Sequence, residues 1–99
     1  MKPPVRLVAT DIDGTLVRFG GAASARTLAA LRAAEAAGVL VVLATGRPPR
    51  TARVIAAALG IRGPTICANG ALVVELPLGQ VLRDVRIEGG LAAELVADL

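Results

Sequence analysis

An α/β fold, built on a partial Rossmann-like parallel sheet, is predicted by three observations. Short apolar runs alternate with helical patterns in the order strand, helix, strand, helix, strand through residue 70. The runs stay apolar instead of alternating in polarity, as strands covered on both faces do. Each run ends in a cluster of polar residues and glycine. Two crossover units imply parallel strands, which brings those three ends to one edge of the sheet.

The first strand is read over Val5–Thr10 (VRLVAT), behind Pro3-Pro4, which cannot sit in a central strand. Ser24 can cap a helix that runs to about Ala37, with Gly38 as its stop. Leu28, Leu31 and Ala34 share one face of it, and Arg26, Arg32 and Glu35 face water. Val39–Ala44 (VLVVLA) is the second strand. Pro48-Pro49 opens a second helix, since proline fits a first turn. Its expected apolar stripe is Val54, Ile55, Ala58 and Leu59, and Gly60 ends it. Pro64–Ala68 (PTICA) is the third strand.

After Gly70 the pattern changes. Ala71–Glu75 and Gln80–Val85 read as a β-hairpin with Gly79 in its turn. Gly89-Gly90 leads into the start of a helix, in which Leu91, Leu95 and Val96 share a face. The chain is therefore expected to form one domain, with a βαβαβ core over 1–70 and a hairpin and helix over 71–99.

The composition, 55% hydrophobic and 19% charged over 99 residues, is that of a folded chain with one modest core. Phe19 is the only aromatic residue, so alanine, leucine and valine fill that core. The net charge is +3, and ten of the eleven basic residues are arginines. They are scattered and have no aromatic residues between them for base stacking, so no nucleic-acid partner is expected. No apolar run approaches the ~18 residues of a membrane span, and no membrane partner is expected either. The single cysteine, Cys67, fits a reducing cytoplasm, and no histidine is present to activate it.

The strand ends carry the candidate chemistry. They are Thr10-Asp11-Ile12-Asp13-Gly14-Thr15, Thr45-Gly46-Arg47 and Asn69-Gly70. Residues two apart in extended chain point the same way, so Asp11 and Asp13 share a side. Two carboxylates this close raise each other's pKa unless a cation relieves them, and Mg²⁺ takes such hard oxygens. One carboxylate could attack phosphorus while the other trades protons. Thr45 and nearby backbone N–H groups suit phosphate oxygens, Gly14 and Gly46 admit close backbone approach, and Arg47 suits an anionic group. Taken singly, each feature has an ordinary reading. DIDG also fits an acidic turn or a piece of a calcium loop, Thr45 and Asn69-Gly70 fit turns, and Arg47 fits a surface. Their joint placement favours a site.

These motifs resemble those of the haloacid dehalogenase superfamily of phosphatases. DIDGTL (Asp11 to Leu16) is similar to its DxDGT motif, and VVLATGR (Val41 to Arg47) to its second motif. CANGA (Cys67 to Ala71) is similar to a segment of the Cof-type sugar-phosphate hydrolases. The resemblance implies that Asp11 is a nucleophile forming an aspartyl-phosphate. Asp13 would be the general acid and base, and Mg²⁺ would be held by Asp11 and the Asp13 carbonyl. Thr45 would hold the phosphoryl group, with Gly46, Arg47 and Asn69 near a small phosphorylated metabolite. It further implies a cap domain after the third strand, more core strands beside the first, a downstream lysine and a distal acidic pair. The 99 residues contain none of these: the only lysine is Lys2, and Glu75, Asp84, Glu88, Glu94 and Asp98 stand in no such context. The expectation is the amino-terminal portion of a Mg²⁺-dependent phosphate-monoester hydrolase, with little or no turnover by itself. The alternative is a non-catalytic interaction module or dimer that keeps the DxD site and self-associates through its open edge strand. A phosphoacceptor receiver domain would need an aspartate where Asn69 stands.

Overall fold

In a computed structural model, which describes residues 4–99, the chain follows the expected element order. The strands are β1 (Leu7–Thr10), β2 (Leu40–Leu43), β3 (Gly63–Cys67), β4 (Leu72–Leu76) and β5 (Gln80–Asp84). The helices are α1 (Ala25–Ala36), α2 (Pro49–Leu59) and α3 (Gly89–Ala97). Pro3, which heads the expected first strand, lies outside the described residues.

β1 and β2 pair in parallel, with Leu7 opposite Leu40 and Thr10 opposite Leu43. β3 joins β2 in parallel through one bridge, Ala44 to Ile66, and the Thr45 N–H donates to the Ile66 carbonyl at 2.8 Å. Its full ladder is antiparallel, to β4, and β4 in turn pairs antiparallel with β5. The expected parallel core thus consists of a two-strand ladder and one further bridge. β4 belongs to a β3-β4-β5 meander as well as to the expected hairpin. The reason is local: the tight turn Ala68–Gly70 returns the chain directly alongside β3, and so short a closure costs little entropy. Gly79 supplies the β4–β5 turn as expected, at φ +86°.

β2 is covered on both faces: Val41, Val42 and Leu43 are all buried. β1 lies at the edge, and Leu7 and Val8 are exposed. Leu31 of α1 enters the core with Ile12, Val41 and Leu43, and Leu28 and Ala34 pack against it on the expected face. α2 is rotated from its expected stripe. Ala52, Ala56 and Leu59 are buried and Ile55 is half-buried, whereas Val54 and Ala58 are exposed. The small alanines let α2 approach the sheet closely, a reading that side-chain hydropathy alone does not give.

The helix signals work largely as read. The Ser24 hydroxyl accepts the Thr27 N–H, and Gly60 closes α2 at φ +69°. Arg32 departs from expectation. Its guanidinium donates to the Leu59 carbonyl at 2.7 Å and the Gly60 carbonyl at 3.1 Å. It thereby satisfies the end of α2 from α1, where orphan carbonyls attract a cation. Leu91, Leu95 and Val96 of α3 are exposed, and no residue of that helix is buried.

Candidate functional site

The chain leaves β1 in an extended step and then folds back at once. The Ile12 carbonyl accepts N–H bonds from Thr15, Leu16 and Val17, and Gly14 donates to the Val17 carbonyl at 2.7 Å. Gly14 sits at φ +77°, a conformation that favours glycine. Ile12 is 0% exposed and anchors this turn in the core. Its burial forces the flanking Asp11 and Asp13 outward, as the period of two requires.

Asp11 is exposed, and its Oδ2 accepts the Thr15 hydroxyl at 3.3 Å. Asp13 is held differently. The Arg47 guanidinium donates to both of its oxygens, Nε to Oδ2 at 2.8 Å and Nη2 to Oδ1 at 2.7 Å. Those hydrogen bonds lower the pKa of the Asp13 carboxyl from its ordinary value, opposed by partial burial and aided by the charge of Arg47.

Thr45, at the end of β2, is buried and heavily tied. Its N–H bonds β3, its carbonyl accepts the Asn69 N–H at 3.1 Å, and its hydroxyl oxygen accepts the Arg47 N–H at 3.0 Å. With an oxygen lone pair so occupied, the Thr45 hydroxyl can turn its proton toward a ligand. Ala68 and Asn69 adopt left-handed φ values of +49° and +54°. This pair brings Asn69 against Gly46, where a Cβ would lie 2.9 Å from the Asn69 Oδ1. Gly46 is thus required by the close approach of the third strand end.

The ends of β1, β2 and β3 do meet. Asp11, Thr45, Gly46, Asn69 and Gly70 line an open cleft of about 420 Å³ with Ala44 and Ile66. Asp13 and Arg47 form their ion pair outside its lining. Gly14 opens instead on a second hollow of about 680 Å³, shared with residues 15–19, Ala22, Ser24 and Thr27. Sequence reasoning passed over Thr15, whose hydroxyl four residues after Asp11 was the available signal. It also missed the Arg47–Asp13 pairing, which no local spacing announces.

The donor chemistry suits Mg²⁺. Asp11 and Asp13 offer hard oxygens, and Mg²⁺ is commonly held by one or two carboxylates with waters and substrate phosphate filling the rest. Asp13's carboxylate is committed to Arg47, so Asp11 and the Asp13 backbone carbonyl are the groups left for a cation. Among the described residues no cluster of three or more acids, cysteines or histidines converges. Burial raises the Cys67 thiol above its ordinary pKa, consistent with a packed strand residue. Lys2 lies outside the described residues. Among the described residues no helix is long and apolar enough to cross a membrane.

A family model described as haloacid dehalogenase-like hydrolase matches residues 8–99. A phosphoglycolate phosphatase of Aeropyrum pernix is 40% identical over 72 residues, covering 71% of this chain and 30% of the relative. A 5-amino-6-(5-phospho-D-ribitylamino)uracil phosphatase of Bacillus subtilis is 40% identical over 67 residues, 68% of this chain and 27% of the relative. The solved structure of a haloacid dehalogenase-like hydrolase from B. subtilis superposes with a TM-score of 0.82 at 33% identity, covering 94% of this chain and 32% of that one. The chain spans about a third of the length of the relatives it matches.

Proposed function

The chain belongs to the haloacid dehalogenase-like hydrolases, and we propose that its cleft takes the phosphoryl group of a small phosphate monoester onto Asp11. The observation that carries this reading is the convergence of Asp11, Thr45 and Asn69 in one cleft at the ends of three strands. The relatives support the reaction class, and their names give two different phosphorylated small molecules. A sugar phosphate or similar metabolite is the substrate class we assign.

In this mechanism an Asp11 oxygen attacks phosphorus and the bond from phosphorus to the ester oxygen breaks. Asp13 is ionised and paired with Arg47 in the free chain. It would have to take up a proton on substrate binding before passing it to the departing oxygen, and would then take one from the water that attacks the aspartyl-phosphate. The second step breaks the Asp11–phosphate bond and restores the free carboxylate. The Thr45 hydroxyl donates to a phosphoryl oxygen, and Asn69, whose N–H bonds the Thr45 carbonyl, lines the same cleft. Gly46, by carrying no side chain, lets Asn69 close against the same cleft. Mg²⁺, held by Asp11 and the Asp13 carbonyl when bound, would offset the charge shared by carboxylate and phosphate.

We further propose that the 99 residues alone turn over little or no substrate. Among the described residues they hold the nucleophile and the phosphoryl grip, but no lysine beside Asp11 and no third acid for the metal, groups that supply much of the electrostatic stabilisation in such sites. Residues 71–99 would then lead toward a cap domain outside this sequence. The lone cysteine, a buried thiol, supports our reading that the protein works in a reducing cytoplasm. The test is to incubate the chain with Mg²⁺ and acetyl phosphate, reduce with borohydride and map the peptides by mass spectrometry. Modification at Asp11, absent in Asp11→Asn and without sustained phosphate release, is expected. Modification at another residue, none at all, or turnover at an ordinary enzyme rate would each count against part of this reading.

The second reading, a non-catalytic module, is favoured by one observation: among the described residues β1 pairs with β2 alone, and Leu7 and Val8 are exposed. Size-exclusion chromatography over a range of concentrations separates a discrete β1-paired dimer from a monomer.

A further inference from the structure

The sequence leaves Arg47 either against an anionic group of the substrate or at the surface, but the structure gives its guanidinium another partner. We propose that Arg47 is a positioning residue, which sets the side-chain geometry of Asp13 and ties it to Thr45, and does not anchor the substrate anion. The inference rests on the phosphoryl-transfer reading for what Asp13 does there, but not for the geometry.

Two independent observations carry it. First, the edge of the guanidinium formed by Nε and Nη2 is already spent on both Asp13 oxygens, at 2.8 and 2.7 Å. Such a two-point pairing fixes direction as well as distance, which a single contact does not. Second, Arg47 does not line the cleft in which Asp11, Thr45, Gly46 and Asn69 meet. Arg47 is thus not among the groups that face an anion held by those four residues.

The main chain of Arg47 is held as firmly as its side chain. Its N–H donates to the Thr45 hydroxyl oxygen at 3.0 Å, and its carbonyl accepts the Ala68 N–H at 2.9 Å. One residue therefore connects the β1 loop, the β2 end and the β3 end. The Asp13 side chain has no other side-chain hydrogen bond among the described residues. A half-exposed carboxylate on a turn samples a broad χ2 and several χ1 wells unless something selects one. Side-chain exposures of 35% for Arg47 and 27% for Asp13 make this a partly sheltered pair, unlike a freely solvated surface contact. Asp13, which like Arg47 lies outside that lining, would serve the departing oxygen, and Thr45 the phosphoryl group, from two loops. Arg47 sets the distance between those loops.

The experiment uses the isotope-labelled chain and compares wild type with Arg47→Ala, Arg47→Lys and Asp13→Ala. Side-chain NMR couplings report the χ1 populations of Asp13, and the Arg47 Nε–H signal reports its protection from exchange. Inorganic phosphate, titrated in the presence of Mg²⁺ and followed at the amides of Thr45 and Asn69, reports anion binding. Positioning requires one Asp13 rotamer in wild type and averaging in both Arg47 variants, since a lysine keeps the charge but not the fork. It also requires the protected Nε–H signal to vanish in Asp13→Ala, and phosphate affinity in Arg47→Ala to stay within about threefold of wild type, a difference below 1 kcal/mol. A single Asp13 rotamer that survives in both variants overturns the proposal. So does a phosphate affinity lowered about tenfold or more by Arg47→Ala. If Arg47→Ala does not fold, Arg47→Lys decides through the Asp13 couplings. Wild-type chain that binds no phosphate refutes the phosphoryl-transfer reading, while the couplings still decide the role of Arg47.

Discussion

Truncating Ile12 should destabilise the whole domain, although it sits between two solvent-facing acids. Ile12 is 0% exposed and belongs to the main core cluster. Ile12→Ala removes three carbons, which is about 2.4 kcal/mol of transfer free energy at roughly 0.8 kcal/mol per carbon. The hole left behind raises the cost to about 3–4 kcal/mol. Against a total stability on the order of 5–15 kcal/mol, that is a large share. A domain of this size loses about 4–8 °C of melting temperature per kcal/mol, so the drop should be roughly 12–30 °C. Ile12→Val, at about 1 kcal/mol, should cost a single step of that scale. Phe19→Ala is the control: the residue is larger but 81% exposed, and its removal should change stability by less than about 0.5 kcal/mol. Thermal unfolding followed by circular dichroism reads all three. An Ile12→Ala melting point within about 4 °C of wild type would mean that Ile12 is not the anchor. The outward placement of Asp11 and Asp13 would then lose its physical cause.

Two further outcomes follow from the helix ends. Gly60→Ala forces a side chain into φ +69° and places its Cβ 2.5 Å from the Arg32 Nη1. It should cost at least the 1–2 kcal/mol of left-handed strain, whereas Arg32→Ala should cost about 1 kcal/mol through the lost carbonyl contacts. Because the two changes touch the same junction, denaturant melts of the double variant should show less than the sum. Glu88 caps α3 by accepting the N–H groups of Gly90 and Leu91, which lowers its pKa from 4.5. A carboxyl depressed in the folded state contributes stability above its unfolded pKa and loses it as pH falls through the folded value. Amide exchange in α3 should therefore quicken below about pH 4.5 in wild type, and show no such step in Glu88→Gln.

The helices and the strand ends were legible because their signals are local. Ser24, Gly38, Gly60 and Gly79 each act within a few residues, and each does what its position announces. The continuous apolarity of VVL, Val41 to Leu43, likewise reports burial on both faces of β2. What could not be read is non-local. Hydropathy ranks Val54 above Ala52 and Ala56, yet close packing of α2 buries the alanines. The short link in PTICANGALVVEL permits only an antiparallel pairing of its two strands, but nothing in it says that they pair with each other and not with separate neighbours. Arg32 and Arg47 both looked like solvated or ligand-facing cations. Each instead completes a contact about 30 residues away in sequence, at distances that only the folded chain defines. At the site, Asp11, Thr45, Gly46 and Asn69 come together as their strand-end positions imply. Asp13 and Arg47 bond one another, and Gly14 faces a different hollow.

The central claim is that Asp11 sits in a phosphoryl-binding cleft at the three strand ends. Titration of the labelled chain with Mg²⁺ and beryllofluoride, a mimic of the phosphoryl group on a carboxylate, tests it without requiring turnover. The expected result is a set of amide shifts confined to Asp11, Thr45, Gly46 and Asn69, abolished by Asp11→Asn. Shifts that persist in Asp11→Asn, shifts centred on Ser24 and Thr27, or none at all would contradict it.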